Sequence, residues 1–451
     1  MPARAAWAHA AREYYWTHAR LQRAYARAAS ARARLAARRA RTYEALIHYC
    51  AAARRLHARE PGNARLRERG LRQLGKFVRR AHGGEFPATA GDNRLLAAFL
   101  ASARAEAYRR QIRSWTPEQR LTLRENLLVL KAPRDRERGV LLLFFTGASE
   151  MFLTAFDAPR VLERFTVVLE PSWSTFPEPY WAYFAARETP ALCQAITDEE
   201  ADAIASSGLP LVSLPFGAQD WVDGDVFRPL GLAKEFDLVM VANFAKWKRH
   251  AVLFEAMRRW PGPRPKVALV GFAWERTQEQ FEAEMRAYGV RQDCTLFRNV
   301  DAAGVNEILN RSRVALLLSR IEGGNRGLME AIAAGTPVVV YRHIIGPRHS
   351  QINPQTGRFA DDRELGAVLC EVLANPDQFQ PRAWFDAHSG HRRTTERLNA
   401  ALRAHAGRRG EPWTQDIACK VNRPGPQYAN PDDAAALAPA WRELESMLVI
   451  A

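Results

Sequence analysis

The sequence predicts a mixed α/β protein: two successive doubly wound domains, each built on a parallel sheet, behind an all-helical, basic N-terminal extension. Three observations predict it. From Val140 onward, short apolar runs alternate with helical segments, the pattern of βα units whose sheets are covered on both faces. Two such series follow each other, divided by a loop from Pro215 to Pro229. Ahead of them no Gly or Pro occurs between Ala3 and Glu60, and apolar residues return at helical spacing.

In the extension, Trp7, Tyr14, Leu21, Ala28 and Leu35 recur every seven residues, which predicts a narrow apolar seam on one long helix or a helical hairpin. Pro61 and Gly62 break it, Ala64–Arg80 resumes a basic helix, and Gly83, Gly84 and Pro87 end that helix. A helical segment follows over Arg94–Arg113, and another opens at Thr116-Pro117-Glu118, with Thr as cap and Pro at the first helical position. The first strand series reads Val140–Phe145, Phe165–Leu169, Leu192–Ile196 and Pro210–Leu214, with a helix over Asp198–Ser206. The second reads Phe236–Asn243, Lys266–Phe272, Cys294–Val300, Val314–Leu318 and Pro337–Tyr341. Helices fit between these strands at Arg249–Trp260, Glu275–Tyr288, Ala303–Arg311 and Arg326–Ala334. The tail offers helices near Arg393–His405 and Asp433–Leu448. The expected domains are thus 1–130, 131–229, 230–390 and a tail, 391–451, packing back across them.

Of the 451 residues, 65 are Lys or Arg and 49 are Asp or Glu, a net charge of +16. Residues 1–80 hold 20 of the basic and 4 of the acidic side chains, so the extension carries the whole excess. Three readings of it rank in order: a helical hairpin or coiled-coil seam with a solvated Arg face, which also suits homo-oligomers; an anionic membrane surface bound through residues 1–80; and, last, nucleic acid. No apolar run is long enough to span a bilayer, and Arg4, His9, Arg12 and Glu13 interrupt any signal-peptide core. Five dispersed cysteines without C-x-x-C spacing argue against a disulfide framework or a structural zinc site. A cytoplasmic location is expected, with the inner face of the membrane as a peripheral one.

The segment richest in chemistry is SRIEGGNRGLMEAIAAGTPVV, Ser319 to Val339, which reads strand, glycine-rich loop, helix, turn, strand. Gly323, Gly324 and Gly327 let a backbone approach a ligand, and the helix starting near Asn325 turns its free N–H groups toward the same place. An anion fits there. Glu322 and Glu330 flank the loop, and carboxylates beside an anion are tolerable when they accept hydrogen bonds from hydroxyls. A diphosphate joined to a sugar at each end meets all of these conditions.

This stretch resembles the signature of the retaining GT-B glycosyltransferases of the group 1 (family 4) type, whose E-x7-E motif reads roughly EGFGLVLLEAMAAGTPVV. VANFAKWK, Val241 to Lys248, is similar to the family's VGRLxxxK segment. Leu214–Ala218 with Phe227–Pro229 resembles its interdomain link, Thr197-Asp198 its Ser-initiated helix, and Gln355–Phe359 its xTGxL stretch. The resemblance implies two Rossmann-like domains facing a cleft and transfer of a sugar from a nucleotide-diphosphate donor to a glycan or lipid-linked acceptor, with retention and without a metal or cofactor. It assigns donor-sugar hydroxyls to Glu322, the ribose to Glu330 and the diphosphate to Lys248. Gly323, Gly324, Asn325, Arg326 and Gly327 would cradle the phosphates, with Leu328 shaping the pocket. The two competing readings are a catalytically silent GT-B-like binding protein and a basic-helix nucleic-acid-binding protein.

Departures from the family pattern bear on the same residues. Asn243 stands where the family has a phosphate-binding Arg, leaving Lys246, Arg249 or Arg326 to supply the charge. Gly324 replaces an aromatic and Asn325 a glycine. No His lies between His82 and His250, so Glu170, after the strand Phe165–Leu169, is expected in the acceptor-side catalytic place; capping the amides of Ser172 or Ser174 is the alternative. Thr146-Gly147-Ala148-Ser149 is the nearest thing to an N-domain glycine loop, or a helix cap. Asp223-Gly224-Asp225 imitates a metal-binding D-x-D but sits where a turn is expected. Trp173, Tyr180 and Trp181 offer either an acceptor platform or core.

Overall fold

The computed structural model describes residues 18–54, 56, 60–120, 122–144, 146–171, 176–423 and 425–449. Trp7, Tyr14, Phe145, Ser172, Trp173 and Ser174 lie outside the described residues. The described residues divide into two compact units, one of Gln219–Thr394 and one of residues 18–218 joined by the stretch from Thr395 onward. No helix among the described residues is long and apolar enough to cross a membrane.

The unit built from two chain segments opens with α1 (Ala19–Arg38), α2 (Thr42–Arg54) and α3 (Pro61–Ala81). α1 and α2 form a hairpin through a tight turn in which Ala40 takes a positive φ of 56°. The seven-residue seam does not line their contact: Leu21 and Leu35 are 41% and 49% exposed. The buried face of α1 is Gln22, Ala26, Ala29, Ala33 and Ala36, whose alternating steps of four and three residues form a seam of small side chains. Small residues let two helices approach closely, and Ala29 packs on Ala51 and Ala52 of α2. Close packing continues at α3, where a Cβ on Gly70 would lie 3.1 Å from the Ala53 methyl.

Two more helices, α4 (Arg94–Leu100) and α5 (Ala103–Arg113), are capped by Asn93 and Ser102 side chains and lead to a five-stranded sheet. Its strands, β1 (Leu127–Lys131), β2 (Gly139–Phe144), β3 (Phe165–Glu170), β4 (Leu192–Gln194) and β5 (Val212–Leu214), lie in sequence order. β1 runs antiparallel to β2 and the rest are parallel. Helices α6 (Thr146–Ala155), α7 (Ala158–Arg164), α8 (Pro179–Tyr183) and α9 (Asp198–Ser206) connect them. A single core joins Leu46, Leu74 and Phe99 of the helices to Leu141, Val167 and Phe165 of the sheet. The basic helices therefore share their interior with the sheet.

The second unit carries six parallel strands, β6 (Phe236–Val241), β7 (Val267–Gly271), β8 (Cys294–Arg298), β9 (Ser312–Leu317), β10 (Val338–Tyr341) and β11 (Gly357–Ala360), in the order β11-β10-β9-β6-β7-β8. Relative to the first strand of the unit this is the 3-2-1-4-5-6 order of a dinucleotide-binding fold. Helices α10 (His250–Arg258), α11 (Gln278–Ala287), α12 (Ala302–Asn310), α13 (Arg326–Ala333), α14 (Leu365–Ala374) and α15 (Pro381–His388) accompany the strands. Separate apolar clusters pack against the sheet, one including Val239, Ala315 and Ile332 and the other Leu238, Phe254 and Leu369. Strand order reverses between β6 and β9, and in such sheets the crevice beyond the carboxyl ends at that point is where ligands bind.

The tail returns to the first unit. α16 (His391–Arg408) continues from one unit into the other's chain segment, followed by an antiparallel hairpin, β12 (Lys420–Arg423) with β13 (Gly425–Tyr428), and α17 (Asp432–Glu445). Leu444 and Met447 enter the core that the helices and five-stranded sheet share.

Candidate functional site

Both halves of the E-x7-E segment and the VANFAKWK stretch emerge at the point where strand order reverses. After β6 the chain passes Asn243 and makes a turn of 3-10 helix over Lys246–Lys248 before α10. After β9 it passes Ser319 and Glu322 before α13. The Lys248 ammonium lies 2.6 Å from the Glu322 carboxylate and 3.9 Å from the centre of the Trp247 ring. Lys248 and Glu322 are 9% and 5% exposed, so they form a charge pair in a site of low dielectric.

Backbone geometry fixes Glu322. Its N–H donates to the Ile345 carbonyl at 2.8 Å, and Ile321 bridges to Ile345. Gly346, at a φ of 125°, passes so close that a Cβ there would lie 2.0 Å from the Glu322 carbonyl oxygen. Only glycine fits this crossing. Asn325 caps α13, accepting from the Leu328 N–H at 2.9 Å, so its side-chain oxygen is spent on the helix rather than left for a ligand. Gly323 lies buried in the turn, a Cβ on Gly327 would meet the Val241 carbonyl oxygen at the end of β6 at an ordinary 3.8 Å, and Leu328 is buried in the apolar cluster below. Gly324 has a local cause: a Cβ there would lie 2.5 Å from Oε1 and 3.2 Å from N of Gln219, so Gln219 fills the volume an aromatic would need.

Glu330, four residues into α13 from Arg326, is largely buried. Desolvation raises its pKa against the pull of Arg326, whose Nε is 3.7 Å away. Arg249 takes a different role from the expected one: it adopts a left-handed backbone (φ 63°), donates to the Leu318 carbonyl at 2.9 Å, pairs with Asp362 and stacks on Tyr341. It fastens the end of β9 to the loop after β11 instead of facing an anion. Asn243 and Ser319 each keep a buried side-chain oxygen without a hydrogen-bond partner. Orphaned buried polar atoms are rare, and these two stand on adjacent strand ends at the reversal point.

Sequence reasoning missed Arg276, because no motif marks it. Its guanidinium donates to the carbonyls of Phe244 at 2.7 Å and Ala245 at 3.1 Å and pairs with Glu284, which pins the turn presenting Lys248. Burial pulls its pKa down to about 10, against Glu275. Beyond the end of β7, Phe272 and Trp274 stand 46% and 69% exposed.

His250, next to this turn, is enclosed by Phe244, Phe254 and Phe281, and neither ring nitrogen has a partner. Burial, with the charges of Arg276 and Lys248, lowers its pKa from 6.5 to about 3. The unfolded chain therefore binds a proton in that window while the folded one does not, and stability falls as pH drops through it. The loss is expected to approach about 1.4 kcal/mol per pH unit. His250→Phe should flatten it; urea unfolding at stepped pH is the check, and an unchanged slope counts against this account.

The remaining candidates lie elsewhere. Glu170, at the end of β3, is 1% exposed, and its two oxygens accept from Lys420 Nζ at 3.0 and 2.9 Å, with Asn422 Nδ2 at 3.4 Å. The acceptor-side role expected for Glu170 meets a carboxylate with no open face. Tyr180 and Trp181 are buried members of the core, not a surface platform, and Thr146–Ser149 open α6. The Asp223-Gly224-Asp225 segment is a turn, Asp223 Oδ1 accepting from the Asp225 N–H at 3.0 Å. His391 brings a third donor, all within 4.8 Å of one another, while the Arg392 guanidinium lies 2.7 Å from Asp225.

Residues 225–379 match the family model described as glycosyl transferases group 1. No curated protein matches the chain. Among solved structures, sucrose-phosphate synthase from Thermosynechococcus elongatus is similar over 57% of this chain and 72% of its own, at 16% identity and a TM-score of 0.46. HepE of Anabaena, solved with UDP, is similar over 58% and 78%, at 14% identity and a TM-score of 0.48. The lipopolysaccharide outer core galactosyltransferase WaaB is similar over 57% and 72%, at 17% identity and a TM-score of 0.43.

Proposed function

We propose that this protein is a glycosyltransferase of the group 1, GT-B type that transfers a hexosyl group from a nucleotide-diphosphate sugar to a glycan or lipid-linked acceptor, with retention of anomeric configuration and without a metal. The observation that carries the reading is the pairing of Lys248 with Glu322 beside the amino end of α13, at the strand-order reversal of a unit that matches the group 1 family model.

The chemistry follows from charge. As the anomeric C–O bond breaks, its electron pair leaves with the diphosphate, and negative charge grows on the phosphate oxygens. A preorganised ammonium and a helix amino end stabilise that charge more than they stabilise the bound donor, which is the condition for catalysis. Lys248 has three N–H donors, enough to hold a phosphate oxygen while keeping Glu322, whose second oxygen is then available to a sugar hydroxyl. Glu330, about one turn along α13, takes the ribose. The acceptor oxygen bonds to the anomeric carbon and its proton goes to the departing diphosphate.

Incubation with a panel of UDP-, GDP- and ADP-sugars, with and without EDTA, tests the proposal through released nucleotide and the anomeric configuration of the product. Chelator-insensitive release with one donor and a retained product is expected. An inverted product removes retention, and EDTA-sensitive release removes metal independence. Failure to bind any of the three nucleotides removes the transferase reading, whereas tight donor binding without turnover favours a catalytically silent binding protein.

A further inference from the structure

The solvent side of α1 carries two adjoining strips. With about 100° between successive residues of a helix, Arg20, Arg27, Arg34 and Arg38 fall on one flank, and Leu21, Ala28 and Leu35 on the next. All seven residues are exposed, opposite the alanine face that seats α1 on α2. Among the described residues none of the four arginines has an ion-pair partner. Tyr25 adds an aromatic ring, 37% exposed, at the edge of the apolar strip. The seam that the heptad spacing predicted as a helix–helix contact is thus turned outward, beside an uncompensated cationic band.

We propose that this face of α1 docks the protein on an anionic membrane surface, the arginines meeting lipid phosphates while Leu21, Ala28 and Leu35 enter the headgroup–acyl boundary. Charge complementarity selects the occupant. Residues 1–80 carry the entire net charge of +16, so attraction to a negative surface orients this end of the molecule toward it. A second copy of the chain would bring two arginine bands together. A nucleic acid would satisfy the arginines but leave the leucines in water. An interfacial helix with a basic strip beside an apolar one suits both sets of side chains. The inference stands independently of the catalytic proposal and is tested without donor or acceptor.

Flotation of the full chain with vesicles of phosphatidylcholine and phosphatidylglycerol, against phosphatidylcholine alone, reads the interaction. Partition is expected to be at least about tenfold stronger on the anionic vesicles at about 0.1 M salt. Leu21→Ser with Leu35→Ser should weaken it about tenfold without lowering the melting temperature, since neither side chain belongs to the core. Equal partition of wild type and this double variant overturns the proposal, as does equal binding to both vesicle types. Preferential binding to a DNA duplex, unaffected by the double variant, assigns the face to nucleic acid instead. A dimer dissociated by the double variant assigns it to a second copy, and a lowered melting temperature shows that the chain itself covers the face. Each of these last three outcomes also overturns the membrane assignment.

Discussion

Glu322→Gln is expected to reduce donor turnover by about 10²–10³-fold while leaving affinity for the free nucleoside diphosphate near wild type. The carboxylate is assigned to the sugar, not to the phosphates, and it holds Lys248 at 2.6 Å in a buried site, so losing its charge both frees the ammonium and removes a sugar contact. Lys248→Ala should behave differently, lowering turnover by a similar factor and nucleotide affinity with it, because the cation that meets the diphosphate is gone. Lys248→Arg is not expected to rescue, since a planar guanidinium does not fit a space bounded by the Trp247 ring and Glu322. Titration calorimetry with the nucleoside diphosphate and single-turnover release of nucleotide separate the two effects. Unchanged turnover in Glu322→Gln would sink the site assignment whatever the affinity.

The second large effect is on stability. Glu170 and Lys420 are fully buried, and Glu170→Ala would leave an ammonium inside the protein with no counter-charge. Breaking a buried pair on one side costs about 3–5 kcal/mol, so urea unfolding should shift strongly toward lower denaturant. Replacing both partners, Glu170→Gln with Lys420→Met, should recover much of the loss because no charge is then stranded. This pair of variants also decides between the two roles of Glu170. If Glu170→Ala unfolds like wild type yet loses transfer, the residue serves the reaction and not the fold.

The parallel strands and the glycine-rich loop before α13 were legible in the sequence because they rest on local signals. Apolar runs of a few residues between turn residues can be little else than buried strands, and clustered glycines before a helix announce their own geometry. The face of α1 was not legible. A heptad of Leu, Tyr and Trp outweighs a heptad of alanines on any hydropathy scale, yet the alanines win in the structure because they let α1 and α2 come close. β1 was missed since Leu127–Lys131 follows a helix-like segment and gains its strand character from pairing with β2. The replacement of an aromatic by Gly324 acquired a cause only when Gln219, far away in sequence, appeared in the same space. For Arg249 and Glu170 the residue type suggested chemistry, whereas their partners, Asp362 and Lys420, lie 113 and 250 positions along the chain.

The placement of Lys420 also bears on how the protein is made. Among the described residues one unit, Gln219–Thr394, is a continuous stretch of chain, whereas the other combines residues 18–218 with the stretch from Thr395 onward. On the ribosome the continuous unit has all of its strands before the tail is synthesised, so it is able to fold while the earlier-made segment still waits for α17, the β12–β13 hairpin and the ammonium that neutralises Glu170. Until the stretch from Lys420 to Met447 emerges, that carboxylate and the apolar floor beneath Leu444 stay open to water and to chaperones. The segment ahead of Gln219 is thus translated before the continuous unit and finished after it.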